Sequence, residues 1–384
     1  MKTYAAEVIV VGGGPAGSMT AGLLADRGLE VLLLEKGVFP REKPCAGGLT
    51  LRALSALGLS LPQSLVHEKC YVFRAVLGEC VRETCFEQPY VLTVDRSELD
   101  AFLLQWAVES GAAVHTGERV LSLQPDLKAI QVQTEKATYS TPLVVGADGI
   151  PSLVARACGQ RSFNEAAACL CANIPRPPVN CDRFRGVLET HWGLFDWGYG
   201  WIFPKRDHLS VGLGMWGRGR NLKALWADFL TSLDLPPVQP QGHLIPVGGK
   251  PELAVADGFV LVGDAAGFAD PLTGEGLYYA FLSARLAAQV IWALKRQGLP
   301  YTAGNLAQYQ KKCWQKFGRD LNRALRLNKM ARRCPRLWHQ AFKGSADWFV
   351  KALQVVQGEA SYQHLFRWAW PRLPLLWLQS QLIH

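Results

Sequence analysis

Val8-Ile9-Val10-Val11-Gly12-Gly13-Gly14-Pro15-Ala16-Gly17 decides the fold of this chain. The four apolar β-branched residues suit a strand buried on both faces of a parallel sheet. They run into a G-x-G-x-x-G turn and then a helical pattern that ends near Gly28. A second apolar strand, Val31-Leu32-Leu33-Leu34, follows and closes on Glu35, eighteen residues beyond Gly17. Strand, glycine turn, helix, strand and acid stand in the order that binds a dinucleotide. Gly12 allows the tight turn, Gly14 lets backbone approach a pyrophosphate, and Gly17 lets the helix pack closely on the strand. Glu35 is placed to accept adenosine ribose hydroxyls.

Outward from that unit, 384 residues with 49% hydrophobic content suit two or three domains with a large core. The glycine turn arrives too early for a signal peptide to precede it. The ten cysteines show no metal-finger pairing, so we expect a reduced, cytoplasmic protein without a metal. The net charge of +9 is concentrated in residues 301–384, which hold 14 Lys+Arg against three acids.

Phe39 to Leu49 reads as a loop leaving the Glu35 strand, followed by a helix at Thr50–Leu57. Cys45 lies in that loop, which can travel along a bound cofactor toward its reactive end. Asp95 or Ser97 is expected to cap a helix with Leu99, Phe102, Leu103 and Trp106 on its apolar stripe. A β-meander is expected over 119–141, then a buried strand ending in Gly146-Ala147-Asp148-Gly149. Residues 158–250 alternate apolar and polar and read as an antiparallel sheet, with a hairpin at 198–214 turning on Arg206-Asp207-His208. A second G-x-G-x-x-G at 212–217 sits in a hairpin strand and lacks the following helix, so it is not a nucleotide site. Gly258–Val262 returns as a strand ended by Gly263-Asp264, suited to polyol hydroxyls, before a helix from Leu277 to about Lys295.

Gly12-x-Gly14-x-x-Gly17 with Glu35, the Asp95-Arg96 element and Gly263-Asp264 together resemble the FAD-dependent oxidoreductases of the p-hydroxybenzoate hydroxylase group. Within it, Lys43-Pro44-Cys45-Ala46-Gly47-Gly48, Tyr199-Gly200-Trp201-Ile202-Phe203-Pro204 and Asp270-Pro271-Leu272-Thr273-Gly274-Glu275-Gly276 resemble the geranylgeranyl reductase family. That family usually has glycine or another small residue where Ala46 stands. The resemblance implies an α/β fold: a Rossmann-like FAD-binding domain (1–60, 95–157, 253–300), an inserted antiparallel-sheet substrate domain (61–94, 158–252), and a helical basic C-terminal region (301–384). It implies FAD contacts at Gly12, Gly14, Pro15, Ala16, Gly17, Glu35, Lys36, Cys45, Ala46, Gly47, Arg96, Val120, Asp148, Gly263, Asp264, Pro271, Gly274 and Gly276. Cys45, Tyr199 and Trp201 are implied at the reacting face, where Tyr199, Trp201 and Phe203 share one side of a strand. For Cys45, Lys43 is the only nearby cation the sequence offers.

The family saturates isolated C=C bonds of polyprenyl chains, which needs a strong hydride donor and an apolar, water-excluding slot. A flavin monooxygenase or halogenase, or a non-catalytic carrier of a prenyl lipid, shares the framework. The expected partners are a prenyl lipid, an unidentified electron donor and a membrane surface, with no nucleic acid. The last expectation rests on the basic tail and its Trp-Arg-rich run at 365–378, which is too broken to span a bilayer but suits the headgroup interface. The alternative for the tail is a helical lid on the catalytic domain. The two are compatible.

Overall fold

The computed structural model describes residues 3–126, 129–160, 166–176, 181–194, 197–216, 221–248 and 254–372. The opening stretch lies at the centre of a six-stranded sheet. Its order is Val255–Ala256, Phe259–Leu261, Val144–Gly146, Val8–Val11, Val31–Glu35 and Ala113–Thr116, parallel except at the Val255–Ala256 edge. All four residues of Val8–Val11 are buried, which is why the strand shows no alternation. Val10 sits between Leu33 and Val145. In this register the turns at Gly12, Ala147 and Gly263 leave the sheet along one edge, the place where open α/β sheets bind ligands. Helices Pro15–Ala25 and Leu277–Arg296 pack together over the sheet. The second is long and apolar enough to cross a bilayer, but 67% of its apolar stretch is buried inside the molecule.

A seven-stranded sheet runs in the order Gln241–Pro246, Ala166–Pro175, His208–Trp216, Gly198–Pro204, Val187–Trp192, Val72–Leu77 and Cys80–Cys85. All its pairings are antiparallel except that of Val187–Trp192 with Val72–Leu77. The expected hairpin forms, with Trp201 opposite Gly212. One correction falls here: a helix, Leu222–Ser232, interrupts the stretch read as continuous sheet. Trp226, Phe229 and Leu230 lie at helical spacing and pack on Ile202, Val211 and Leu213 from one face of the sheet. The opposite face presents Tyr199, Trp201, Phe203, Cys169 and Cys171.

The meander of Val120–Pro125, Ile130–Thr134 and Thr138–Thr141 forms, and Thr3–Ala5 joins it in parallel. The helix expected at Thr50 starts one residue later, because Thr50 is its cap: the Thr50 hydroxyl accepts from the Ala53 N–H at 3.2 Å. Beyond residue 300 come helices Ala303–Cys313, Arg319–Arg333, Pro335–Gly344, Ala346–Gln357 and Tyr362–Ala369, with a π turn at Trp314–Gly318. Leu306, Tyr309 and Phe317 enter the core of the parallel sheet. Phe349 and Leu353 pack on Phe73 and Leu188 of the other sheet, so this region covers the junction of the two.

Candidate functional site

A cavity of about 410 Å³ lies beneath that cover. Gly14, Pro15 and Ala16 form one end, the Lys43–Gly48 loop and Arg96 follow, and the aromatic face of the seven-stranded sheet makes a side wall.

The glycine turn is shaped as the sequence predicts. Gly12 has φ +105°, and a Cβ there would lie 2.4 Å from the Ala147 carbonyl oxygen. A Cβ at Gly17 would lie 1.8 Å from the Gly12 carbonyl oxygen, so the helix can sit this close only without one. At Gly14 the same atom would meet only Arg41 Nη2, at 3.8 Å. The space in front of Gly14 is thus open, faces the N-terminus of Pro15–Ala25, and has a guanidinium beside it. That cradle fits a pyrophosphate. Arg41 was not singled out from the sequence. It reaches the turn because it stacks on Phe39 at 4.7 Å and stands 3.5 Å from Asp100.

Several expected contacts take other roles. Glu35 is nearly fully buried and accepts from the Gly13 N–H at 2.6 Å and the Gly37 N–H at 2.7 Å. Its first task is to tie the turn to its own strand, leaving only the remaining lone pairs for ribose hydroxyls. Lys36 is exposed and Val120 is half-buried at the start of the meander; neither lines the cavity. Asp148 accepts from Ser152 Oγ and from the N–H groups of Leu153 and Val154, so it caps the helix Leu153–Ala157 while Ala147 and Gly149 face the cavity. Gly263 stays behind the wall, its N–H donating to Ser283 Oγ. Pro271 also sits behind it, its carbonyl accepting from Asn328 Nδ2 at 2.6 Å. Asp95 occupies the N-cap position of Arg96–Glu109 without making a capping bond, and Ser97 lies within the helix.

The remaining predicted residues converge. Cys45, Ala46, Gly47, Arg96, Tyr199, Trp201, Asp264, Gly274 and Gly276 all line the cavity. Arg96 is held by Asp100 through bonds of 2.8 and 2.9 Å, and Lys43 Nζ stands 3.6 Å from Asp264. Burial pushes the Cys45 thiol up, but the Arg96 guanidinium, the Gly47 N–H and Lys43 outweigh it and leave the group below its ordinary range. Arg96, not Lys43, is the stronger cation at Cys45. The sequence hid this because the two are about fifty positions apart. Cys169 and Cys171, on the same wall, are each pushed up to about 12 by burial. His243, also unforeseen, is held down to about 4 by burial and by Lys43.

Trp201 owes its place to the second glycine pair. A Cβ on Gly212 would fall 2.1 Å from the indole Cζ2, so Gly212 serves to admit that ring; Gly217 lies outside the described residues. Trp201 Nε1 is buried and makes no hydrogen bond among the described residues. Tyr199 stacks on Trp192 at 5.0 Å, and its hydroxyl donates to the Thr273 carbonyl. Burial raises its pKa well above the ordinary phenol value.

The roof comes from the C-terminal helices: Leu327, Trp338, Phe342, Phe349, Leu353 and Tyr362 among others. Two buried polar ties fasten it. The Tyr362 hydroxyl donates to both oxygens of Asp270, at 2.8 and 2.7 Å. Arg52 pairs with Glu275 and donates to the Val355 carbonyl at 3.2 Å. The lid reading of the tail therefore holds for its described part; residues 373–378 of the Trp-Arg-rich run lie outside the described residues.

Comparison with known proteins agrees with this geometry. Residues 5–174 match the FAD binding domain family. A digeranylgeranylglycerophospholipid reductase from Methanopyrus kandleri is 32% identical over 84% of this chain and 86% of its own. A geranylgeranyl diphosphate reductase from Synechocystis is 30% identical over 81% of this chain and 82% of its own. The crystal structure of a geranylgeranyl bacteriochlorophyll reductase-like protein from Thermoplasma acidophilum superposes with a TM-score of 0.78 at 23% identity, covering 86% of this chain and 88% of the other.

Proposed function

This chain belongs to the geranylgeranyl reductase family of FAD-dependent oxidoreductases, and from that premise we propose that it saturates isolated C=C bonds of a polyprenyl chain lying in the roofed cavity. The observation that carries the reading is one continuous wall, running from the open glycine turn to an apolar chamber of aromatic and aliphatic side chains. FAD supplies, once reduced by an electron donor, the hydride that an unactivated alkene requires.

The chain's residues do the rest. Gly14, Pro15 and Ala16 with Arg41 hold the pyrophosphate, Asp264 with Lys43 the ribityl hydroxyls, and Gly274 and Gly276 bring the N-terminus of Leu277–Arg296 toward the ring. Arg96 fixes the Cys45 loop. Saturation also needs a proton for the second carbon. Cys45 is the wall thiol whose proton is held least tightly, which supports it as donor or as tuner of the site. Tyr199, Trp201 and Phe203 orient the chain on one side, and the C-terminal helices exclude water on the other. A halogenase would need a lysine facing the cavity. The lysine that does line it, Lys43, is committed to Asp264 at 3.6 Å, and Lys205 is buried behind the loop, its Nζ donating to the Val94 carbonyl at 2.5 Å, which favours the reductase.

The test is to reduce the purified flavoprotein with dithionite under anaerobic conditions and add geranylgeranyl compounds. Reoxidation of the flavin together with a product two hydrogens heavier supports the reading. Reoxidation by oxygen alone, across a panel of prenyl lipids, overturns it.

The basic tail supports a further part of the proposal, reversible attachment to an anionic membrane from which the substrate enters. Its 14 cations face three acids, Trp370 is 57% exposed, and Arg372 stacks on Trp368 at 4.5 Å. Each cation near an anionic surface contributes roughly 1 kcal/mol. Co-sedimentation with anionic vesicles at low salt, lost at high salt or with neutral lipid, is the expected result; protein left in the supernatant throughout removes this part.

A further inference from the structure

Behind the Cys45 loop, outside the cavity, three separate elements bring imidazoles and carboxylates together. His67 comes from the segment before strand Glu68–Cys70, Asp95 and Glu98 from the start of helix Arg96–Glu109, and His208 from the hairpin strand His208–Trp216. Ligand atoms of His67, Asp95 and Glu98 all lie within 4.8 Å of one another.

The hydrogen bonding makes this more than an acidic cluster. His67 Nε2 meets Glu98 Oε2 at 2.8 Å, and His208 Nδ1 meets Asp207 Oδ1 at 2.7 Å. Carboxylates only accept, so each of these ring nitrogens carries the proton. In the neutral rings, His67 Nδ1 and His208 Nε2 are then lone pairs. Both are buried and make no hydrogen bond among the described residues. Both point at one carboxylate: His67 Nδ1 stands 3.9 Å from Asp95 Oδ2, and His208 Nε2 stands 3.4 Å from Asp95 Oδ1. The His67 side chain is only 4% exposed. Asp95 itself forgoes the capping bond that an aspartate at this position ordinarily makes. Lone pairs facing a carboxylate repel unless a proton or a metal cation lies between them. Burial opposes a proton on His208, but Asp95 and Asp207 outweigh it and raise its pKa. The second lone pair, on His67 Nδ1, stands too far from Asp95 for a hydrogen bond.

We propose that His67 Nδ1, His208 Nε2 and Asp95 hold a divalent first-row transition ion of the zinc type, with Glu98 and Asp207 orienting the two imidazoles. Two imidazoles and one carboxylate, each imidazole braced through its other nitrogen by a carboxylate, is the donor set and outer shell such ions take. The opposing charge is the Lys205 ammonium, whose Nζ is turned to the Val94 and Gly47 carbonyls. Arg206 points away to the Ser64 carbonyl. None of the three proposed ligands lines the cavity, so the ion's role is to clamp the helix that carries Arg96 to the hairpin that carries Trp201.

The probe is Zn²⁺ added to the chelator-treated, FAD-loaded protein, read by bound metal per chain and by titration calorimetry. About one ion per chain is expected, with affinity falling roughly 10- to 100-fold in Glu98→Gln, which braces a ligand, and by more in the ligand variants Asp95→Asn and His208→Ala. Zinc should also raise the melting temperature of the wild type and not of these variants, while flavin absorbance shows that they remain folded. Zinc bound equally by all variants would mean that it sits on surface thiols such as Cys85 or Cys334, and would overturn the proposal. No zinc bound by the wild type would overturn it too, leaving a proton or water between the rings and Asp95.

Discussion

At the glycine-turn end, the cavity wall is backbone. Gly12 and Gly17 sit where any Cβ would strike main-chain atoms, and Gly14 leaves the space in front of the turn open. At the far end the wall is side chain. Trp338, Phe342, Phe349 and Leu353 descend from helices that share no motif, and two polar ties hold them down. The first end tolerates no side chain at Gly12 or Gly17, because atoms of the main chain cannot move aside. The second can be repacked, since helical side chains change rotamer and neighbouring helices shift. A family that keeps one cofactor and varies its lipid would gain from this division.

The sharpest way to break that contrast is a methyl group at the backbone end. Gly17→Ala puts a Cβ 1.8 Å from the Gly12 carbonyl oxygen and is expected to cost about 3 kcal/mol and abolish FAD retention. Gly14→Ala meets nothing closer than 3.8 Å, so its apoprotein should unfold within about 0.5 kcal/mol of wild type while FAD retention still falls. Denaturation curves beside flavin absorbance separate the two. If Gly14→Ala keeps its flavin, the open space is not the phosphate cradle.

At the side-chain end, Tyr362→Phe removes the hydroxyl that donates to both oxygens of fully buried Asp270. Asp270 keeps the Leu272 and Thr273 N–H groups, so the loss is expected at about 2 kcal/mol. The roof should loosen before the parallel sheet melts. Limited proteolysis should release the C-terminal helices early; a variant as resistant as wild type would mean that apolar packing alone holds the roof.

This division also explains what could be read in the sequence. Gly12-x-Gly14-x-x-Gly17 is legible because a backbone that approaches so closely admits one residue type at fixed spacing. The aromatic face of Tyr199, Trp201 and Phe203 is legible through strand alternation. Arg41 and the Arg96–Cys45 pairing were not, since a loop's path sets them and no local pattern marks it. Asp148 and Glu35 each carry a structural task that the sequence does not mark: one caps a helix and the other braces the turn. Helix Leu222–Ser232 carried a helical period that the alternation on either side of it concealed.

The pH profile probes the layer behind the cofactor loop. Burial holds Lys205 down to about 8, against an ordinary value near 10.4 once unfolded. Between these values the unfolded chain binds the extra proton, so stability contributed at this site rises with pH across roughly 8 to 10.4, by at most about 1.4 kcal/mol per unit. Below pH 8 the buried charge is a constant cost. The wild type should therefore gain on Lys205→Met as pH rises from 8 to 10, measured by urea denaturation of both at each pH. A constant difference between them would mean that Lys205 keeps its proton throughout.

The smallest expected effect is at the boundary between the two ends, in Trp201→Phe. The indole is 7% exposed and fills the space that Gly212 leaves. A phenyl ring still covers most of that space, so the fold should lose only about 1 kcal/mol, the cost of a small void. The same void opens on the chamber side, because Trp201 lines it between Tyr199 and Phe203. A prenyl chain lying along that wall gains room of about a methylene or two, and discrimination at that scale is worth roughly tenfold per methylene. Rates of anaerobic flavin reoxidation by C15, C20 and C25 prenyl compounds should then shift by up to that factor in favour of the longer chain. Gly212→Ala tests the wall from the other side, since its methyl drives the indole into the chamber and should favour the shorter chain. Opposite shifts in the two variants make Trp201 the selectivity wall. Parallel losses of stability with unchanged chain-length preference make it ordinary core, and the selectivity then belongs to the roof.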